Sequence, residues 1–292
     1  MSDFGAQSMV GELKKALLMK PADAFRSQEE VDLAWKEKNW IGRPDFSRAI
    51  QEYDAFIQLL VDFGVELEFM DSESGLGMDA IYTRDPALVT DGGAIQGNMG
   101  NPNRLDEPDR LAGRMQDLGI PLKGQISGDG RIEAGDLVWL DERTLAVGEG
   151  FRSNREGMRQ LKDILEGHLD TIIPVPLPYW NGPSDCLHLM SILSPVDRNV
   201  YLVYSRLMAV PFRRTLLDRG VRLVEVPDEE YETLGCNVLA LAPGICVMLG
   251  GNPRTRARLE SQGIEVSVFE GREICLKGLG GPTCLTQPLL RL

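Results

Sequence analysis

Histidine is almost absent from this sequence. Only His168 and His188 occur in 292 residues, so any imidazole chemistry rests on one of them. The five cysteines, Cys186, Cys236, Cys246, Cys275 and Cys284, form no C-x-x-C pair. An odd count without that spacing fits neither a disulfide framework nor a structural zinc site. Positive charge is also scarce: 31 Lys and Arg stand against 44 Asp and Glu, a net charge of −13. Nucleic acids and anionic membrane surfaces need clustered positive charge, so neither is an expected partner. No apolar run approaches the roughly 18 residues that a membrane span requires. The most apolar stretch, Asn237 to Gly250, is interrupted by Pro243-Gly244, which reads as a turn between two strands. Met1-Ser-Asp-Phe carries neither a basic n-region nor an apolar h-region, so no secretory signal is expected. The cysteines then read as thiols in a cytoplasmic protein.

What remains is ordinary for a soluble globular chain: 43% apolar and 26% charged residues. A chain of this size buries enough surface to fold without staples. One pattern recurs along it, in which a helix-like segment ends in glycine and a short strand follows. The glycines are Gly64, Gly119, Gly167, Gly220 and Gly263, the residue type that suits the left-handed position closing a helix. Four of the helices are preceded by two strand-like runs joined by a turn. The pairs are Ala80–Tyr82 with Ala87–Val89, Leu137–Leu140 with Thr144–Gly148, Leu187–Ser191 with Val200–Tyr204, and Val238–Leu241 with Cys246–Leu249. The unit is strand, strand, helix, strand, used about five times. Repeats near fifty residues suggest blades around one axis, with an ordinary α/β sheet carrying hairpins as the alternative. A closed ring would make residues 1–292 one domain.

Side chains at the inner strand ends of such a ring converge on its axis. Asp85 lies in Asp79-Ala-Ile-Tyr-Thr-Arg-Asp-Pro86, and Glu133 opens Glu133-Ala-Gly-Asp136. His188 stands at a strand start, and Cys284 sits in Gly280-Gly-Pro-Thr-Cys-Leu-Thr286. Together they bring a thiol, an imidazole and two carboxylates from four units. Each also has a plainer reading. A lone cysteine is commonly a small buried hydrophobe, a histidine between leucines a hydrogen-bonded core residue, and the acids turn or cap residues. His168, directly after Gly167, reads as a solvated residue at a negative helix end. The other four cysteines lie in apolar surroundings and read as core.

Gly281-Pro-Thr-Cys-Leu-Thr-Gln-Pro-Leu-Leu-Arg291 resembles the nucleophile motif of the guanidine-modifying (amidinotransferase, or pentein) superfamily. That superfamily contains arginine deiminases, dimethylarginine dimethylaminohydrolases and amidinotransferases. Tyr82-Thr-Arg-Asp-Pro86 resembles its first acidic motif, Glu133-Ala-Gly-Asp136 its second, and His188-Leu its histidine motif, in the family's order. The resemblance runs from about Asp79 to the C-terminus. It implies a five-bladed α/β propeller of ββαβ units around a pseudo-fivefold axis. It also implies a role for two arginines, Arg104 and Arg152, each 19 residues after its acid. In hydrolases of free arginine derivatives, arginines at these offsets hold the substrate α-carboxylate, a task that suits a guanidinium fork.

A guanidinium is a poor electrophile with a poor leaving group, so its cleavage calls for a soft nucleophile and a proton donor. By the resemblance, Cys284 attacks, His188 serves as acid and then base, and Asp85 and Glu133 hold the cation flat. The implied partner is a small cationic guanidino amino acid, and no metal or cofactor is implied. Assembly into a homo-oligomer is left open. Met190, two residues after His188, replaces an acid of arginine deiminases, and Asp79 replaces their Asn. Both features resemble dimethylarginine hydrolases. Arg84 and the Gly-Gly-Pro turn look more like arginine deiminase. An arginine dihydrolase, an amidinotransferase and a non-catalytic ring-fold binding module are the other readings. The polar segment Asp71–Gly77 is a candidate lid, or a plain loop.

Overall fold

A computed structural model of the chain describes residues 3–185 and 187–292. Cys186, expected in the core, lies outside the described residues. The five glycines that punctuate the sequence do close helices. All five are left-handed, with φ between 77° and 95°. The helices they close are Phe46–Phe63, Glu107–Asp117, Arg155–Ile164, Val210–Asp218 and Pro253–Glu260. Their first turns are held by local chemistry. Asp45 accepts from the Arg48 N–H, and Asn154 from the Gly157 N–H. The longest helix buries Ala49, Tyr53, Phe56 and Leu60, one stripe at helical spacing.

Among the described residues the strands form five three-stranded sheets. The chain begins with β1 (Leu13–Leu18) and, after the first long helix, β2 (Glu66–Phe69), which pair in parallel. The second sheet is β3 (Ala87–Thr90), β4 (Gly93–Gln96) and β5 (Leu122–Gln125), and the third is β6 (Leu137–Asp141), β7 (Thr144–Glu149) and β8 (Thr171–Pro176). The fourth is β9 (Leu193–Asp197), β10 (Val200–Val203) and β11 (Arg222–Glu225), and the fifth is β12 (Val238–Ala242), β13 (Ile245–Leu249) and β14 (Glu265–Phe269). In these four an antiparallel hairpin leads into a helix, which returns a parallel third strand. The last strand, β15 (Gln287–Arg291), pairs antiparallel with β1 and completes the first sheet. Five ββαβ units therefore form the α/β propeller, one of them built from both chain ends.

Two hairpins lie further along the chain than the sequence pattern suggests. Ala80–Tyr82 is not a strand; Met78–Ile81 is a 3-10 turn, and the hairpin is β3–β4. Its turn is Asp91-Gly92, a strong short-hairpin signal, and it leads into Gly93 at φ 125°. Likewise Leu187–Ser191 is not a strand. The His188 N–H donates to Ser191 Oγ and closes a 3-10 turn over Leu189–Ser191. The strand starts at Leu193 and includes Pro195, which is tolerated because β9 lies at a sheet edge.

Candidate active site

The shift in register puts the functional side chains in equivalent places. Asp85 stands just before β3, and Glu133 begins a 3-10 turn (Ala134–Asp136) before β6. His188 begins the turn before β9, and Cys284 stands before β15. In the remaining blade Asn237 directly precedes β12. These segments pass hydrogen bonds around the axis. The Ala134 N–H donates to the Asp85 carbonyl, and the Leu189 N–H to Asp136 Oδ1. Ser194 Oγ donates to the Cys236 carbonyl and the Thr283 N–H to Asn237 Oδ1. The Arg84 N–H donates to the Cys284 carbonyl, which closes the circle.

A cavity of about 320 Å³ opens on this circle, lined among others by Asp85, Arg104, His188, Met190, Asn237 and Cys284. His188 Nε2 lies 2.7 Å from Glu133 Oε2, and its Nδ1 lies 3.8 Å from Asp85 Oδ1. Burial opposes the Glu133 charge, but the hydrogen bond and charge of His188, with the Arg152 charge, outweigh it and hold its pKa at about 2. Glu133 Oε1 also accepts the Asn101 N–H at 2.9 Å. Asp85 Oδ2 accepts from Arg104 Nη1, whereas Asp85 Oδ1 is buried with no donor among the described residues. The Asp85, Glu133 and His188 ligand atoms all lie within 4.8 Å of one another. Such a set can hold a metal ion or receive a flat organic cation. Gly135 makes the convergence possible, because a Cβ there would lie 2.5 Å from His188 Nδ1 and 2.7 Å from Asp85 Oδ1.

Cys284 is half-buried and in the cavity, while Cys236, Cys246 and Cys275 are buried. Burial pushes the Cys246 thiol up to about 12 and raises Cys236 and Cys275 as well, so these three are inert. The glycines before Cys284 make room for protein groups: a Cβ on Gly280 would strike the Tyr82 ring and one on Gly281 the Asn237 amide. His168 is half-buried beside its helix end, away from the cavity.

The other expected residues sit around this centre. Asp79 is buried and accepts from Trp40 Nε1 at 2.8 Å, but does not line the cavity. Arg104 lines it and is gripped by Glu107, through Nε and Nη2, while Nη1 reaches Asp85 and Nη2 also reaches the Tyr82 carbonyl. Arg152 is buried with Nη1 3.8 Å from Glu133 Oε1 and Nη2 donating to the Asp185 carbonyl. Residues 71–77 do not line the cavity; four of them border a separate depression against the helix Glu107–Asp117.

Sequence reasoning missed Asn237, Gly135 and Glu107. Only for Asn237 was there a signal, its position before the first strand of a unit. It also missed three residues that line the cavity, Trp180, Leu234 and Leu279, with φ of 47°, 61° and 62°. Bulky residues in the left-handed region carry strain of a kind that gathers at functional sites. Among the described residues no helix is long and apolar enough to cross a membrane.

Comparison with known proteins agrees with the fold. The family model described as N,N dimethylarginine dimethylhydrolase, eukaryotic, matches residues 34–291. The dimethylarginine dimethylaminohydrolase of Pseudomonas aeruginosa is 28% identical over 249 residues, 84% of this chain and 90% of its own length. YkgA of Bacillus subtilis is also 28% identical, over 96% of this chain and 93% of that protein. A structure of a mutant of the Pseudomonas enzyme complexed with citrulline superposes with a TM-score of 0.75 at 25% identity, covering 96% of this chain and all of that one. The chain belongs to the N,N-dimethylarginine dimethylhydrolase family, within the guanidine-modifying superfamily, and is a hydrolase of amidine C–N bonds.

Proposed function

We propose that the protein hydrolyses the guanidinium group of arginine or an N-methylated arginine, giving citrulline plus ammonia or an amine. One observation carries this reading: a thiol, an imidazole and a carboxylate with an unsatisfied oxygen line one cavity. Asp85 Oδ1 is the acceptor offered to the substrate's N–H groups, and Glu133 fixes the orientation of His188. The Cys284 thiolate attacks the central carbon, helped by the adjacent cationic substrate, since an opposite charge favours the ionised thiol. His188 gives its proton to the leaving amine, and the C–N bond breaks. A thiouronium-type intermediate remains on the sulfur. Neutral His188 then takes a proton from water, whose oxygen bonds to carbon as the sulfur leaves. Arg104 and Arg152 are the proposed partners of the α-carboxylate, and Asp79, held by Trp40 Nε1, is a proposed support of the substrate-binding side.

Met190 favours the methylated substrate. It lines the cavity beside His188 and presents a thioether where an acid would contact a bare nitrogen. A citrulline colour assay on arginine and on asymmetric dimethylarginine tests the proposal, with Cys284→Ser as control. Citrulline from at least one substrate, abolished in the serine variant, is expected. No citrulline from either, or full activity in the variant, overturns it. Ornithine in place of citrulline would identify a dihydrolase.

A further inference from the structure

We propose that Asn237 belongs to the reactive centre: its side-chain amide donates to Cys284 Sγ and stabilises the thiolate. This rests on the reading of Cys284 as the nucleophile. Asn237 Nδ2 lies 3.2 Å from Cys284 Sγ, within hydrogen-bond reach of sulfur. The orientation of the amide is fixed independently. Thr283 N–H donates to the other end of the group, at 3.1 Å, and only the oxygen can accept it. The NH₂ group is therefore the end that faces the sulfur. Its N–H groups gain more from a thiolate than from a thiol, because hydrogen bonds to a charged acceptor are the stronger ones.

Three further observations show that the contact is built. Asn237 is buried, at 6% exposure, so the bond forms where water competes weakly. Gly281 leaves space for the amide, since a Cβ there would lie 2.5 Å from Asn237 Cγ and Oδ1. Finally, the repeat itself points to this residue. Four blades each present one reacting or binding group just before their first strand: Asp85, Glu133, His188 and Cys284. Asn237 holds the equivalent place in the fifth, and it too lines the cavity. An asparagine there adds a neutral donor, which favours the thiolate without adding a cation that would repel a guanidinium.

The test reads the thiol directly and needs no substrate. Full-length wild type, Asn237→Ala and Asn237→Asp are alkylated with iodoacetamide across a pH series, and modification of Cys284 is followed by peptide mass spectrometry. Removing the donor in Asn237→Ala should move the alkylation midpoint up by about one to two pH units. Asn237→Asp keeps the acceptor for Thr283 N–H but sets an oxygen against the sulfur, so its midpoint should rise further than that of the alanine variant. A residue that only braces the loop leaves the alanine midpoint at the wild-type value, because the thiol then loses no donor. That result overturns the proposal, as does an Asp midpoint equal to wild type, since a carboxylate at the sulfur must raise the thiol. If Asn237→Ala fails to fold, the isosteric Asn237→Leu variant, which also lacks the donor, carries the same test. A protein that shows these shifts but produces no citrulline would refute the proposed substrate and leave the role of Asn237 standing.

Discussion

Arg104 and Arg152 occupy the same offset in adjacent repeats, yet their surroundings differ. Arg104 is locked, because the bidentate Glu107 grip, Asp85 and the Tyr82 carbonyl take up four of its N–H donors. Among the described residues Arg152 is loosely held: its Nε has no partner, its nearest carboxylate oxygen is 3.8 Å away, and its firm bond is to one carbonyl. Equal spacing follows from the repeat, but the neighbours decide what a side chain is available to do. Glu107, three residues after Arg104, has no counterpart after Arg152, where residue 155 is an arginine. Arg104 thus braces the Asp85 carboxylate and keeps one N–H to offer a ligand in the cavity it lines, while Arg152 has the greater spare capacity.

Variants separate the two. The largest effect is expected from Arg104→Ala, which leaves Glu107 and Asp85 buried without their cation. It should lower stability by about 3–5 kcal/mol, visible as an early denaturant midpoint. A mild loss would mean that the two acids find other partners and that the lock is weak. Arg152→Ala should leave the denaturant midpoint nearly unchanged and raise KM for a free amino-acid substrate, by about 1.5–3 kcal/mol of lost charge-assisted binding. Unaltered KM would remove Arg152 from the substrate. Glu107→Gln should have a smaller effect, costing about 1–2 kcal/mol. It also loosens the Arg104 fork, so a fall in KM would show that Arg104 serves the carboxylate better once released.

The smallest effect concerns pH, on the Arg152 side. Asp136 accepts from Ser153 Oγ and from the Leu189 N–H, yet burial outweighs these and the His188 charge, and raises its pKa from 3.8 to about 6. Protonation then favours the folded state. The resulting stability is full below 3.8 and is lost as pH rises through about 6. Glu133 acts in the opposite sense: its depressed value supports the fold above the ordinary 4.5 and loses that support as pH falls toward 2. Asp136→Asn should flatten the decline between pH 4 and 6, as measured by thermal melts. A slope identical to wild type would place the titration elsewhere.

Much of the ring was legible because its signals are local. Helix-ending glycines need only their own φ, and all five hold left-handed positions. Cys284, His188, Asp85 and Glu133 could be read because a motif keeps each beside its strand. The register of two hairpins was not legible, because Ala80–Tyr82 and Leu187–Ser191 are apolar enough for strands. Their burial comes from turns against the axis, seen only once the neighbouring blades are in place. Gly135 and Glu107 act on residues distant in sequence or on one specific fork, and no spacing records that, whereas Asn237 was marked only by its place before β12.

The pairing of β15 with β1 has a kinetic consequence. Leu13 lies opposite Arg291, so the strand that follows Cys284 closes a loop spanning nearly all of the described residues. Such contacts are costly to form early and come late in folding. Until β15 docks on β1, Cys284 is not held against the cavity that Asp85, His188 and Asn237 line. The meeting of the thiol with the imidazole is therefore itself a report that the ring has closed.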